Sequence, residues 1–255
     1  MTDIMNRFKR SSEKPADEKI LVVSLQKCGT HLLFRILSAA GLEGVGVGPQ
    51  CKLQDFNRLR MGQYLWTHFP PADEVLMALE DSQKPIRLVL NYRDPRDAIV
   101  SWFYWLHPEN KKVTHLHREY MKKVYAHFND RELLDIFIKM DKFREVEYCI
   151  PEQFRYARAL LFHPAVHKAR FEDLIGNDGG GCDKTQREAI ASLFRFLDVP
   201  LGLVDKATNE AFDRNSETFR KGEIGGYKEA MSLEQIQAFN RLYDDLLRQY
   251  GYPPD

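Results

Sequence analysis

The sequence predicts an α/β protein, a single domain built on a parallel sheet covered by helices on both faces. Two patterns carry that prediction. Short apolar runs at 20–25, 63–67, 87–92 and 166–171 alternate with stretches of helical spacing. Two of those runs also end in tight loops that open directly into helices. The length agrees, because an α/β chain of 255 residues buries roughly 70–75% of its unfolded surface, enough for one core.

The elements follow in order. Ile20 to Leu25 is an apolar strand, after which Leu32, Leu33, Ile36, Leu37 and Ala40 keep helical spacing up to Gly41, a helix stop. Glycines 44, 46 and 48 with Pro49 read as a loop. Gln63 to Thr67 is a short strand leading into His68-Phe69-Pro70-Pro71, and a helix with Val75, Leu76 and Leu79 inward follows. The strand at 87–92 precedes Pro95, which is suited to the first position of a helix over 95–105. From His107 to about Met140 strand signals vanish and the composition turns aromatic, His-rich and charged, which predicts a mostly helical insertion at about 106–150. Val166 to Phe171 is the next strand, Gly176 to Gly181 a flexible joint, and 185–197 a helix with Ala189, Ile190, Leu193, Phe194 and Leu197 on one face. Asn209 to Lys228 has no helical period, and the apolar positions from Leu233 to Tyr250 predict one long final helix.

Lys plus Arg number 37 and Asp plus Glu number 37, so the formal net charge is zero and neither nucleic acid nor a membrane surface is an expected partner. Any anion site must be local. Cys28, Cys51, Cys149 and Cys182 form no C-x-x-C pair, which points away from a disulfide framework and towards reduced thiols in the cytoplasm. No segment approaches 18 uncharged apolar residues. Residues 1–17 offer little to bury and predict a flexible tail ahead of a domain at 18–255. The pairs His115/His117 and His163/His167 each resemble half a metal site, but too few partners lie nearby and no metal is expected.

Local anion sites are what the two strand-to-helix loops offer. Lys27, Cys28, Gly29, Thr30 and His31 close the first strand with small residues, one cation and a helix start, whose unpaired N–H groups and partial positive charge favour an anionic oxygen cluster. Arg93 closes the third apolar run, and Ser101 lies about two turns into the following helix, where its hydroxyl can reach a group held by the guanidinium. An Arg93 pair with Asp94 or Asp97 is the competing reading. Two cationic strand ends suit a ligand with two separated phosphates.

Taken together these segments resemble the cytosolic-type sulfotransferase family, which moves a sulfuryl group from 3′-phosphoadenosine-5′-phosphosulfate. The family's P-K-S-G-T-T-W loop is matched by Gln26-Lys27-Cys28-Gly29-Thr30-His31-Leu32, and its Arg with a Ser eight residues later by Arg93 and Ser101. Trp66-Thr67-His68-Phe69-Pro70 is similar to K-T-H-L-P, and Arg220-Lys221-Gly222-Glu223-Ile224-Gly225-Gly226-Tyr227-Lys228 to R-K-G-x-x-G-D-W-K. The resemblance implies a P-loop-like sheet, with Lys27 to His31 on the 5′-phosphosulfate and Arg93, Ser101, Arg220, Lys221 and Gly222 on the 3′-phosphate. It implies that His68 is the general base towards a hydroxyl or amine of a small-molecule acceptor, with no metal required. The resemblance also implies that Trp102, Phe103, Tyr104, Trp105 and the insertion at about 106–150 lie at the acceptor pocket; the aromatics suit a hydrophobic or phenolic acceptor, or else pack in the core.

The match has departures. Cys28 replaces a Ser, and a thiol at a helix start is expected to be sensitive to oxidants or alkylation. Trp66 stands where the family often has a second sulfate-contacting Lys. Leu32 stands where its Trp stacks on adenine, which leaves Phe171 to supply apolar contact. Two other functions fit the same loops: a P-loop-like ATP-dependent phosphotransferase, although G-x-x-x-x-G-K-[ST] is missing, and a catalytically inactive nucleotide-binding relative.

Overall fold

The computed structural model describes residues 19–48, 50–81, 86–110, 115–139, 150–213 and 222–254. The expected tail at 1–17 and the residues Arg220 and Lys221 lie outside them. The first half runs β1 (Lys19–Ser24), α1 (Thr30–Ala39), β2 (Glu43–Gly46), β3 (Gln63–Thr67), α2 (Asp73–Ala78), β4 (Ile86–Tyr92) and α3 (Pro95–Leu106). Next come α4 (His115–Tyr125), α5 (Asp130–Lys139), α6 (Ile150–Phe162), β5 (Val166–Arg170), α7 (Phe171–Leu174), α8 (Asp183–Phe196) and α9 (Val204–Ala211). The chain closes with α10 (Tyr227–Ala230), α11 (Leu233–Leu242) and α12 (Asp244–Gln249).

All strand pairings are parallel, in the order β2-β3-β1-β4-β5. Alternation along the strands divides the core between the two faces. Leu21, Val23, Leu65, Leu88 and Leu90 pack with Phe103, Phe137, Phe154 and Phe239 on the face covered by α3, α5, α6 and α11. Ile20, Val22, Tyr64 and Val89 pack with Leu33, Ile36, Phe194 and Ala207 under α1, α8 and α9. Because α1 and α3 leave neighbouring strands for opposite faces, a crevice opens at the carboxyl ends of β1 and β4, where α/β folds bind ligands. Register sets its rim: Ser24 pairs with Asn91, and Val23 with Thr67.

Four expectations change. Residues 43–46 form an edge strand, not a loop, because Tyr64 and Trp66 fill the space that side chains at 44 and 46 would need; a Cβ would meet Tyr64 Cζ at 2.9 Å and Trp66 Cζ2 at 3.2 Å. Gly176 to Gly181 is structured: Asn177–Gly179 is a 3₁₀ turn, Gly181 N–H donates to the Gly176 carbonyl at 2.8 Å, and Gly179 is buried. The long final helix breaks at Tyr243, whose φ of −126° leaves helical geometry. The segment starting at Asn209 begins inside α9 and ends inside α10.

Candidate functional site

β1 ends at Ser24 and turns through Leu25 to Cys28, where the Cys28 N–H donates to the Leu25 carbonyl at 3.2 Å. Lys27 has φ 61° and Gly29 φ 86°, both left-handed. For a lysine this costs roughly 1–2 kcal/mol, offset by contacts around the turn. The Gln26 N–H donates to Gln153 Oε1 of α6 at 3.1 Å, and the Asn91 amide donates to Ser24 Oγ at 2.9 Å and to the Cys28 carbonyl at 3.2 Å. Gly29 is required twice over, since a Cβ there would also overlap the Phe171 ring. With α1 starting at Thr30, the N–H groups of Thr30, His31 and Leu32 have no acceptor inside the helix, and all three residues line a cavity. Thr30 Oγ1 lies 2.7 Å from Ser24 Oγ. Lys27 Nζ sits over the Trp105 ring, 4.1 Å from its centroid.

One strand away, His68 follows β3 and approaches the same turn from the side. Its Nδ1 lies 2.7 Å from the Ser24 carbonyl oxygen. A carbonyl only accepts, so Nδ1 carries the proton and the neutral ring keeps its lone pair on Nε2. Burial lowers the His68 pKa below its ordinary 6.5, the bond to Ser24 opposes that, and the charges of Lys27 and His31 lower it further. The imidazole is therefore a neutral base at pH 7.

The turn after β4 is made of paired charges. Arg93, 8% exposed, donates through Nη2 to Asp97 Oδ2 at 3.2 Å and to the Glu223 carbonyl, while its Nε has no hydrogen-bond partner. Its Cζ lies 4.2 Å from the centroid of the Phe171 ring. Asp94 caps α3 by accepting from the Arg96 N–H at 2.8 Å and pairs with the Arg96 guanidinium at 2.8 Å. The Asp94 N–H donates to Glu172 Oε1 at 3.0 Å, and Glu172 Oε2 accepts from the Tyr252 hydroxyl at 2.6 Å. Burial raises the pKa of both Asp94 and Glu172, against the pull of these donors.

Both turns open into one cavity of about 480 Å³. Lys27, Gly29, Thr30, His31, His68, Arg93, Ser101, Phe171 and Gly222 all line it, although they come from six separate stretches of chain. Phe34, Trp66, Trp102, Trp105 and Leu106 supply apolar wall, and Phe212, Asp213 and Glu223 close the far side.

A solved structure shares this arrangement of strands and helices: the crystal structure of mouse sulfotransferase SULT7A1 complexed with PAP, with a TM-score of 0.63 and 17% sequence identity, covering 93% of this chain and 86% of that one. The chain has the sulfotransferase fold. No protein-family model and no curated protein matches the sequence.

Within the sulfotransferase fold, two expectations about individual residues are corrected. Cys28 is fully buried and does not line the cavity, and its N–H is committed to Leu25, so neither the side chain nor that N–H faces a ligand. Burial pushes its thiol far above the ordinary cysteine range, the opposite of a reactive helix-start thiol. The aromatic run on α3 divides: Trp102 and Trp105 line the cavity, whereas Phe103 packs on Phe137 with ring centroids 5.5 Å apart. Of the other histidines that the sequence pairs, His163 has its Nε2 3.6 Å from Glu80, and His167 stacks on Phe196.

Phe34, Arg35, Phe212 and Asp213 also line the cavity, and no sequence motif singles them out. Arg35 on α1 donates through Nη1 to Asp213 Oδ2 at 2.9 Å and through Nε to the Glu210 carbonyl at 2.6 Å, which ties the end of α9 to the cavity wall. Phe34 could have been found, because i, i+3 and i+4 spacing puts it with His31 and Arg35 on the face of α1 opposite Leu33 and Leu37.

Proposed function

We propose that this protein is a sulfotransferase that uses 3′-phosphoadenosine-5′-phosphosulfate and transfers the sulfuryl group to a hydroxyl or amine of a small, apolar or phenolic acceptor. The observation that carries the reading is the convergence of two anion-suited turns and a neutral histidine on one cavity. The residues fit such a nucleotide. At one end the α1 start and Lys27 can hold the phosphosulfate; at the other the buried Arg93 retains a donor, Nε, with no protein partner, and Ser101, two turns into α3, lines the same cavity. The PAP bound to the mouse sulfotransferase supports the same class of ligand.

The nucleotide supplies a sulfuryl group on a phosphate leaving group, and the chain's own residues do the rest. His68 Nε2 accepts the acceptor's proton, with Nδ1 anchored on Ser24. Lys27 and the α1 N–H groups hold the charge that develops on the departing phosphate, so they favour the transition state over the ground state. Trp66, Trp102, Trp105 and Leu106 exclude water and offer flat apolar surface to an aromatic acceptor.

Thermal stabilisation by 3′,5′-bisphosphoadenosine, 5′-AMP and ATP, with and without Mg²⁺, tests the reading. Bisphosphate at a hundred times its Kd stabilises by about 2.7 kcal/mol, which raises Tm by roughly 5–10 °C. A larger shift with ATP and Mg²⁺ would replace this function with phosphoryl transfer. Bisphosphate binding without sulfate transfer to any of a panel of phenols, alcohols and amines would leave a nucleotide-binding protein.

A further inference from the structure

The carboxylate of Asp97 lies under the turn at 222–227 with almost no exposure of its own. Its Oδ1 accepts the Tyr227 N–H at 2.8 Å, and its Oδ2 accepts both the Gly225 N–H at 2.8 Å and Nη2 of Arg93 at 3.2 Å. The turn is caught from its other side by the glycine segment. The Ile224 N–H donates to the Gly179 carbonyl at 3.0 Å, and a Cβ on Gly179 would overlap the Gly222 carbonyl oxygen and the Ile175 side chain. Arg93 itself donates to the Glu223 carbonyl. Backbone groups at 223, 224, 225 and 227 are thus claimed by three elements 45 to 130 residues away, namely Arg93, Asp97 and Gly179.

Such a clamp does more than hold a loop. Two of Arg93's contacts, the Asp97 carboxylate and the Glu223 carbonyl, are made by the clamp's own parts, and both engage Nη2, so they fix the orientation of the guanidinium. The buried Nε has no hydrogen-bond partner in the protein, and Arg93 and Gly222 both line the cavity. We propose that Asp97 and Gly179 are positioning residues that set selectivity for a 3′-phosphate by locking the 222–227 turn and Arg93 into one geometry. This rests on the functional reading above and adds to it two residues that do not touch the ligand.

The test is calorimetric titration of the full chain with 3′,5′-bisphosphoadenosine and with 5′-AMP. Asp97→Asn keeps the size but turns one accepting oxygen into a donor facing donors, and the preference for bisphosphate is expected to fall about tenfold, the equivalent of one charge-assisted bond. Affinity for 5′-AMP should stay within about twofold. Gly179→Ala acts from the opposite side and should give the same pattern, so it decides the matter if the Asp97 variant does not fold. Gly180→Ala is the control: it strains the same segment at φ 83° but its Cβ meets nothing within 4 Å, and its preference should match the parent. Preference retained in both Asp97→Asn and Gly179→Ala, or a parallel loss of both affinities with Tm, overturns the inference and leaves the functional reading standing. A parent protein that binds both nucleotides equally overturns both.

Discussion

The turn after β1 and the turn after β4 open into the same cavity, yet they are made of opposite materials. The first is backbone: left-handed Lys27 and Gly29, a helix start, and amides and carbonyls tied by Asn91 and Gln153. The second is side chains: Arg93 and Arg96 embedded among Asp94, Asp97 and Glu172, all of them buried or nearly so. A backbone cradle suits charge that appears during a reaction, because its dipoles are fixed in advance. A cation already paired with a carboxylate suits a group whose charge does not change, because the pair is a permanent receptor of set orientation. Chemistry is therefore expected to depend on the first turn and nucleotide affinity on the second.

That division can be broken by measurement. The largest effect is expected for His68→Ala, which should lower turnover roughly 10²–10⁴-fold with bisphosphate affinity unchanged by calorimetry; near-normal turnover would remove the base. The pH profile sharpens the point. His68 has a folded pKa below 6.5, so the acid limb of kcat/KM should fall below pH 6.5, not at it. The same shift means that the unfolded chain binds more protons below 6.5, so acidification through that window should also lower Tm, and His68→Ala should flatten the trend.

Lys27→Ala comes next, with a loss of about 10²–10³-fold in turnover and a smaller change in affinity. Arg93→Ala should show the reverse split, weakening bisphosphate binding roughly 10–100-fold by removing one charge-assisted contact of about 1.5–3 kcal/mol. If Lys27→Ala lost mainly affinity and Arg93→Ala mainly turnover, the contrast between the turns would be inverted. The smallest effect concerns thiols: iodoacetamide should label the exposed Cys182, whose pKa is lowered by N–H donors at the start of α8, before the buried Cys28, and activity should survive. Rapid labelling of Cys28 in the folded protein would contradict its burial.

The same contrast explains what the sequence could disclose. A backbone cradle is written in consecutive residues, so the segment from Lys27 to His31 and the strand before it were legible, as was the Arg93 to Ser101 spacing on one helix. Asp97 was visible only as a rival partner for Arg93. Its bonds to Gly225 and Tyr227 cross 128 and 130 positions, and no local pattern encodes them. Glycines misled in two places for one reason: at 44 and 46 they yield to aromatic rings, and at 179 to a carbonyl, so close approach by distant groups was mistaken for looseness. The broken last helix escaped because its apolar period runs straight through Tyr243, whose hydroxyl is claimed by the Ile138 carbonyl at 2.8 Å.

Phe171 gives the site a gauge. Its ring lies against Gly29 on one side and carries the Arg93 guanidinium 4.2 Å from its centroid, so a single phenyl group spaces the two charged ends of the cavity. A ring neither compresses nor stretches. The interval between the Gly29 turn and the Arg93 guanidinium is consequently a fixed dimension of the molecule, and a ligand of the proposed kind is expected to need charged groups spaced to match it.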